Sequence, residues 1–193
     1  MTSREARKKF VENYASVARS VTTGTGIFPE TLLAMAIIES SGRVGGIYVP
    51  GASVLSQRAN NFFGIKAGGN WRGDVLEIKT KEFDKDRGYY YESAKFRKYP
   101  SAQDGFKDYV SFLQKNQRYA KAGVFTAPDY VTQITRIAKA GYATAPNYAD
   151  VVSAVANQVK TYLPALKDLG NALAIIAGAL VTIISATYGN EPK

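Results

Sequence analysis

Leu33-Ala-Met-Ala-Ile-Ile-Glu-Ser-Ser-Gly42 is the stretch of sequence that decides the fold of this chain. It continues an apolar run that begins at Thr31, two residues after a proline that suits the first turn of a helix. The run predicts an apolar helix that ends near Ser41 and Gly42. Its last turn carries a glutamate, Glu39.

Glu39 is the first candidate for chemistry. The surrounding apolar side chains and the negative end of the helix dipole both disfavour its charged form, so we expect its pKa to be raised. A carboxylic acid that stays protonated near neutral pH can protonate a glycosidic oxygen. The alternative is an exposed glutamate beside a serine-rich helix end.

The regions on either side of this helix differ in pattern. Upstream, Phe10, Tyr14 and Val21 recur at helical spacing and indicate an amphipathic helix. Downstream, residues 42–74 are rich in Gly, Asn and Ser. This composition predicts mostly loop, with short helical turns around residues 54–61.

A hairpin and further helices are predicted beyond this loop. Strand-like patterns over residues 75–83 and 89–99 flank a turn at 84–88 and indicate a β-hairpin. Beyond Pro100 the helical period returns, and the predicted helices include residues 106–113, 130–140 and 148–162. The predicted fold class is α+β, mainly α, with a helical lobe and a small β-hairpin lobe.

Glu82 is the second candidate carboxylate. Strand alternation gives it the same face as Leu76 and Ile78, whereas Glu77 and Lys79 belong to the opposite face. An inward-facing acid near the hairpin tip could act as a base for water or stabilise oxocarbenium charge. The alternative is a glutamate that only reaches solvent, with acids near the turn as substitutes: Asp84, Asp86 and Glu92.

The amino-acid composition limits which side chains can serve as catalytic groups. The 193 residues include no His and no Cys, which excludes histidine-based catalysis, disulfides and thiolate metal sites. Carboxylates are the natural catalytic groups that remain, and we expect neither a metal nor another cofactor. The formal net charge of +9 favours anionic partners. Nucleic acid is not favoured among them, because the cations are spread along the chain without a binding motif.

The C-terminal segment has a different composition. Residues 169–190 contain no charged side chain, and at about 1.5 Å per residue they would span roughly 33 Å as a helix. We therefore predict a main domain over residues 1–165 and a hydrophobic C-terminal helix over 169–190 that crosses a membrane. The alternatives are a buried helix and self-association through small residues such as Ala174 and Gly178. The oligomeric state is not predicted.

Five motifs follow one another in a recognisable order. They are Leu33–Gly42, Asn60-Asn-Phe-Phe-Gly-Ile-Lys66 with the following Trp71, Thr80-Lys-Glu82, Phe96-Arg-Lys-Tyr99, and Gly141-Tyr-Ala-Thr-Ala-Pro-Asn-Tyr148. In this order they resemble glycoside hydrolase family 73, the mannosyl-glycoprotein endo-β-N-acetylglucosaminidase-like domains, from about Phe10 to Tyr162. The resemblance implies a lysozyme-like fold with a sugar-binding groove between its two lobes.

The resemblance also implies roles for individual residues in cleaving bacterial peptidoglycan. Glu39 would be the general acid, Glu82 the second carboxylate, and Tyr142 a cleft residue that positions substrate or stabilises charge. Aromatic rings suit the apolar faces of sugars. The expected substrate-binding residues are Asn61, Phe63, Trp71 and Tyr148.

Two departures from the family pattern concern local structure. In the loop beside Glu39 the chain has Ser41-Gly-Arg-Val-Gly-Gly46 where the family often has Gly-Trp-Gly. It also has Ala145 where the family often has Asp, a change that affects a turn or cap. Neither departure removes a proposed catalytic group.

Other functions are compatible with the same sequence. A lytic transglycosylase or muramidase of similar fold would use Glu39 in a related reaction. A non-catalytic, membrane-attached wall-binding or virion structural protein is the alternative from a different class. No secretory signal peptide is visible. Together with the predicted membrane helix, this suggests a bacteriophage endolysin or virion component that acts on the wall from the particle or the infected-host cytoplasm.

Overall fold

The computed structural model describes residues 1–84 and 88–163, with the backbone alone at positions 80–84, 89, 90 and 92. The helices are α1 (Ser3–Thr22), α2 (Pro29–Ser40), α3 (Val54–Ala59), α4 (Ala102–Lys115), α5 (Gln117–Lys121), α6 (Tyr130–Lys139) and α7 (148–163), and a 3-10 turn covers Val124–Thr126. The strands are β1 (Gly42–Val44), β2 (Ile47–Val49), β3 (Val75–Asp84) and β4 (Gly88–Arg97). The predicted class, mainly α with a β-hairpin, is confirmed.

Helix α2 forms the centre of the core. Every residue from Leu32 to Ile37 is at most 1% exposed, as expected for a helix that is apolar on all sides. Pro29 lies in its first turn, and its C-cap, Ser41, is extended. The helix therefore brings Glu39 to the core boundary, where its last turn meets a cleft.

A cluster of aromatic rings packs beside α2. Phe63 stacks on Tyr109 with ring centroids 3.9 Å apart, and Phe106 meets Phe63 edge-on at 5.1 Å. The Tyr109 hydroxyl donates a hydrogen bond to the sulfur of Met35 at 3.2 Å. These contacts fix α4 and the segment after α3 against α2, and so shape one wall of the cleft.

Strands β3 and β4 form the predicted antiparallel hairpin, with Val75 opposite Arg97 at its base and Asp84 opposite Gly88 at its tip. The predicted alternation is confirmed where side chains are described. Leu76 and Ile78 are half-buried, whereas the residues between and after them are exposed. The hairpin therefore has an inner and an outer face.

The base of this hairpin is held against the helical body. Arg97 and Asp108 of α4 form an ion pair with 2.7 Å between Nη1 and Oδ2. The Tyr99 hydroxyl donates to the same carboxylate oxygen at 2.7 Å. The backbone N–H of Arg97 also donates to the Ile65 carbonyl oxygen at 3.0 Å. These bonds set the orientation of the hairpin where it leaves the body.

Residues 42–49 form a second, smaller hairpin, so the prediction of loop for this segment is wrong. Strands β1 and β2 pair antiparallel, with Arg43 opposite Tyr48. Gly45 and Gly46 make the connection with φ angles of 55° and 86°, which suit a two-residue hairpin turn. Three-residue strands are too short for alternation to be visible in the sequence.

We predict that Gly42→Ala destabilises the protein by about 1–3 kcal/mol, the usual effect of overpacking. A Cβ at this position would overlap the carbonyl oxygen of Ala52 and lie 3.0 Å from the backbone nitrogen of Ser53, and neither can rotate away. Urea unfolding measures the change. Gly68→Ala is the matched control, because nothing lies within 4 Å of its added Cβ. Equal stability of the two variants would contradict the prediction.

Helix α7 is described as far as residue 163, so the predicted end of the main domain at 165 lies outside the described residues. Within the described residues, no helix is long and apolar enough to cross a bilayer. The predicted membrane helix over 169–190 lies outside the described residues.

Candidate active site

A cavity of about 520 Å³, which we call the Glu39 cleft, lies where α2 ends. The segment after α3 forms one side, α4 and α5 a second, and the loop that enters α7 a third. Its lining residues are Glu39, Phe63, Gly64, Ile65, Lys66, Arg97, Tyr109, Phe112, Arg118, Tyr142, Ala143 and Tyr148. It thus combines one carboxylate, several aromatic rings and three cations.

Glu39 is half-buried in this cleft. Desolvation raises the pKa of its carboxyl group, as predicted. A hydrogen bond from the Tyr148 hydroxyl, 2.7 Å from Oε1, opposes that rise because it stabilises the carboxylate. The net effect is an acid that holds its proton more tightly than an ordinary glutamate and whose oxygen is held in one position.

Tyr148 and Tyr142 remain neutral hydroxyl groups in this environment. Burial raises the pKa of each phenol well above its ordinary value, and the negative charge of Glu39 raises it further. Their ring centroids lie 5.7 Å apart. Tyr142 also meets Tyr109 edge-on at 6.0 Å. Two hydroxyl groups that keep their protons are thus available to orient the acid and the substrate.

Lys66, Arg97 and Arg118 line the cleft although none of them is among the predicted site residues. Arg118 donates to the Gly141 carbonyl oxygen at 3.1 Å, which supports the turn that presents Tyr142. Lys66 and Arg97 belong to two of the five family motifs, but no local pattern in the sequence predicts that their side chains line the cleft. Among the described lining residues Glu39 is the only carboxylate, so the walls around the acid are positively charged.

Four of the predicted site residues lie together: Glu39, Phe63, Tyr142 and Tyr148. Asn61 does not line this cleft, and its role in binding substrate stays a prediction. It is 1% exposed, and its amide bonds only to backbone. Nδ2 donates to the Ile65 and Arg97 carbonyls at 3.0 and 2.9 Å, and Oδ1 accepts from the Ile65 N–H at 3.0 Å. Asn61 therefore holds the cleft wall together.

Trp71 lies apart from this group. Trp71 lines an adjoining cavity, where the Arg97 guanidinium lies 4.8 Å from its ring centroid. Glu82 is opposite Tyr90 in the hairpin register. Its carboxylate is outside the described atoms, so its role stays a prediction.

We predict that Tyr148→Phe moves the alkaline limb of the pH–activity profile to higher pH and lowers the maximal rate about tenfold. The lost hydrogen bond stabilises the Glu39 carboxylate, so its removal raises the Glu39 pKa and leaves the acid less well oriented. Rates measured across pH test this. Tyr130→Phe is the control, since it loses an exposed hydroxyl contact with Asn157 at 2.8 Å. An alkaline limb that moves to lower pH would contradict the prediction.

In the part of the chain that the structure describes, no three acidic side chains group closely enough to hold a metal ion. The groups that line the cleft offer acid catalysis by Glu39, with support from neutral hydroxyl groups and cations.

A helix-end glutamic acid that faces a cleft, with a β-hairpin held beside the helical body, defines this chain as a lysozyme-like glycoside hydrolase domain. The model of the glucosaminidase family, mannosyl-glycoprotein endo-β-N-acetylglucosaminidase, matches residues 13–161. The chain belongs to this family. The predictions of family and fold are confirmed.

Curated relatives include the peptidoglycan hydrolase FlgJ. The protein from Vibrio parahaemolyticus is 37% identical over 118 residues, which cover 61% of this chain and 36% of the relative. The protein from Escherichia coli K12 is 33% identical over 144 residues, covering 66% and 44%. The chain thus spans less than half the length of these relatives. A probable N-acetylmuramidase from Lactococcus lactis is 31% identical over 127 residues, covering 63% and 26%.

Solved structures give the same fold. The glycoside hydrolase domain of FlgJ from Salmonella typhimurium is 29% identical, with a TM-score of 0.64 over 87% of this chain and 97% of that one. The catalytic domain of the autolysin Auto from Listeria monocytogenes is 25% identical, with a TM-score of 0.68 over 81% and 87%.

Proposed function

We propose that this chain hydrolyses the glycan backbone of bacterial peptidoglycan as an endo-β-N-acetylglucosaminidase, with Glu39 as general acid. The observation that carries the proposal is Glu39 itself. It is half-buried in the cleft, its pKa is raised, and Tyr148 fixes one of its oxygens. Such an acid can protonate the leaving oxygen of a glycosidic bond. Family membership and the names of the FlgJ relatives support the substrate.

The neighbouring groups suit this reaction. The half-buried Tyr142 offers a ring surface to a sugar, and the buried, stacked pair Phe63 and Tyr109 supports the cleft wall beside it. The neutral Tyr142 hydroxyl is available to a substrate oxygen near the acid. A second carboxylate, which we assign to Glu82, would activate water or stabilise the oxocarbenium-like transition state.

The test is mass spectrometry of the soluble fragments that the full-length chain releases from purified peptidoglycan. Fragments with reducing N-acetylglucosamine ends that disappear with Glu39→Gln would support the proposal. Reducing N-acetylmuramic acid ends would identify a muramidase instead. Release of no fragments by the unmodified chain would favour a non-catalytic wall-binding or virion structural protein.

A lytic transglycosylase is the second candidate, and one observation favours it. Among the described lining residues the cleft holds a single carboxylate, and in that reaction one glutamate serves as both acid and base while a hydroxyl of the substrate attacks. The product is then an anhydro sugar. Anhydro-muramic ends in the same experiment would move the assignment to this chemistry.

We also propose that residues 1–165 form the catalytic domain and that 169–190 attach it to a membrane, in a phage particle or an infected cell. The support is the uncharged C-terminal sequence, whose length suits a bilayer. Flotation with lipid vesicles tests the attachment, and detection of the chain in purified particles tests the setting. A chain that stays with the soluble fraction would argue against the membrane helix.

A further inference from the structure

A second cavity of about 500 Å³ adjoins the Glu39 cleft, and we call it the Trp71 groove. Arg97 and Phe112 line both cavities, so the two are contiguous. The rest of the groove comes from the segment before β3 and the last two turns of α4. A substrate bound at Glu39 can therefore extend into a space of similar size.

The wall that Trp71 provides is firmly held. Its indole N–H donates to the Asp74 carbonyl oxygen at 3.0 Å, and its ring meets Tyr99 edge-on at 5.6 Å. The Arg97 guanidinium lies 4.8 Å from the ring centroid. Trp71 is thus part of a preformed site, since its hydrogen bond and both ring contacts are made within the protein.

The opposite wall is polar and carries a positive charge. Asn116 is held in place by a hydrogen bond from Nδ2 to the Phe112 carbonyl oxygen at 2.6 Å. Asp108 is neutralised by its ion pair with Arg97 at 2.7 Å. The ammonium group of Lys115 therefore gives the lining residues a net positive charge. An amide and a cation beside a flat ring form a site for a chain that carries amides and a negative charge.

We propose that the Trp71 groove binds the carboxylate-bearing peptide that branches from the glycan of peptidoglycan. This inference rests on the proposed function, because it assumes that the glycan occupies the Glu39 cleft. The peptides offer amide groups to Asn116 and free carboxylates to Lys115, whereas the backbone sugars are uncharged where the peptide is attached. The groove thus selects peptide-bearing stretches of the strand for cleavage.

The test compares soluble glycan strands, free of other wall polymers, that carry their peptides with strands from which an amidase has removed the peptides and in which the freed lactyl carboxylates have been converted to amides. A hydrogen-bonded contact with a charged group corresponds to about a tenfold change in binding. We therefore expect the unmodified chain to cleave peptide-bearing strands with about tenfold higher kcat/KM. Lys115→Gln should lose this preference through a higher KM for peptide-bearing strands, with unchanged activity on stripped strands, and Lys115→Arg should keep it.

Lys107→Gln is the matched control, because it removes the same charge from an exposed position on α4 that does not line the groove. It should leave the preference unchanged. Equal cleavage of both substrates by the unmodified chain would overturn the inference but leave the glycosidase intact. An equal loss on both substrates with Lys115→Gln would also overturn it. Cleavage of neither substrate by the unmodified chain would instead reject the proposed function.

Discussion

Glu39→Gln is expected to lower the rate of glycan cleavage by a factor of about 10³, in the range that general acid catalysis contributes. The amide has nearly the same shape and still accepts the hydrogen bond from Tyr148. It cannot give a proton to the leaving oxygen. Release of labelled fragments under saturating substrate measures the loss, which should appear in kcat with little change in KM.

The same substitution is expected to leave the fold intact or slightly more stable at neutral pH. The pKa of Glu39 is raised in the folded protein, so folding binds its proton more tightly than the unfolded chain does. The stability gained at low pH is therefore lost as the pH rises from the ordinary glutamate pKa through the raised one. A glutamine does not titrate, so the stability difference should favour the variant increasingly from acidic to neutral pH.

Glu30→Gln is the matched control, since it makes the same change in the first turn of α2. Its carboxylate lies at the favourable end of the helix dipole, so the variant should lose a few tenths of a kcal/mol and keep its activity. Activity in Glu39→Gln close to that of the unmodified chain would remove Glu39 from the reaction. Thermal unfolding of both variants separates catalytic loss from unfolding.

The parts of this fold that the sequence predicts are those with local, repeated patterns. The apolar run of α2 is long and bounded by a proline, and β3 alternates apolar and charged residues from Leu76 to Lys79. Glu39 was identified because its position at the end of that run fixes its environment. In each case the residues that form the pattern and the residues that cause the structure belong to one continuous segment of the chain.

The contacts that the sequence does not predict join distant segments. The hydrogen bond between Tyr148 and Glu39 links residues 109 positions apart, and no local pattern indicates it. Tyr148 was expected to bind substrate, but its described hydroxyl contact is with the acid. Asn61 also belongs to a family motif, but its buried side chain makes hydrogen bonds only to backbone groups of Ile65 and Arg97. The presence of a residue in a family motif therefore does not show whether it contacts the substrate or only stabilises the fold.

Glu82→Gln is expected to lower kcat by about 10²-fold with little effect on KM, since a base for water or a stabilising carboxylate acts in the transition state. The strand register supports the choice of Glu82. It lies four and six residues beyond Ile78 and Leu76, at positions of the same parity, and those two side chains are half-buried. A carboxylate on the face that these two residues define could stabilise the positive charge of an oxocarbenium-like transition state.

Glu77→Gln provides the matched control on the same strand. Glu77 is exposed, lies opposite Lys95 and has the parity of the outer face, so its substitution should leave kcat unchanged. Equal losses in the two variants would indicate a general effect of charge on the hairpin. Full activity of Glu82→Gln would mean that Glu39 works without this partner, and anhydro products would then follow naturally from a reaction with one glutamate. The pair of variants therefore tests the second carboxylate independently of the acid.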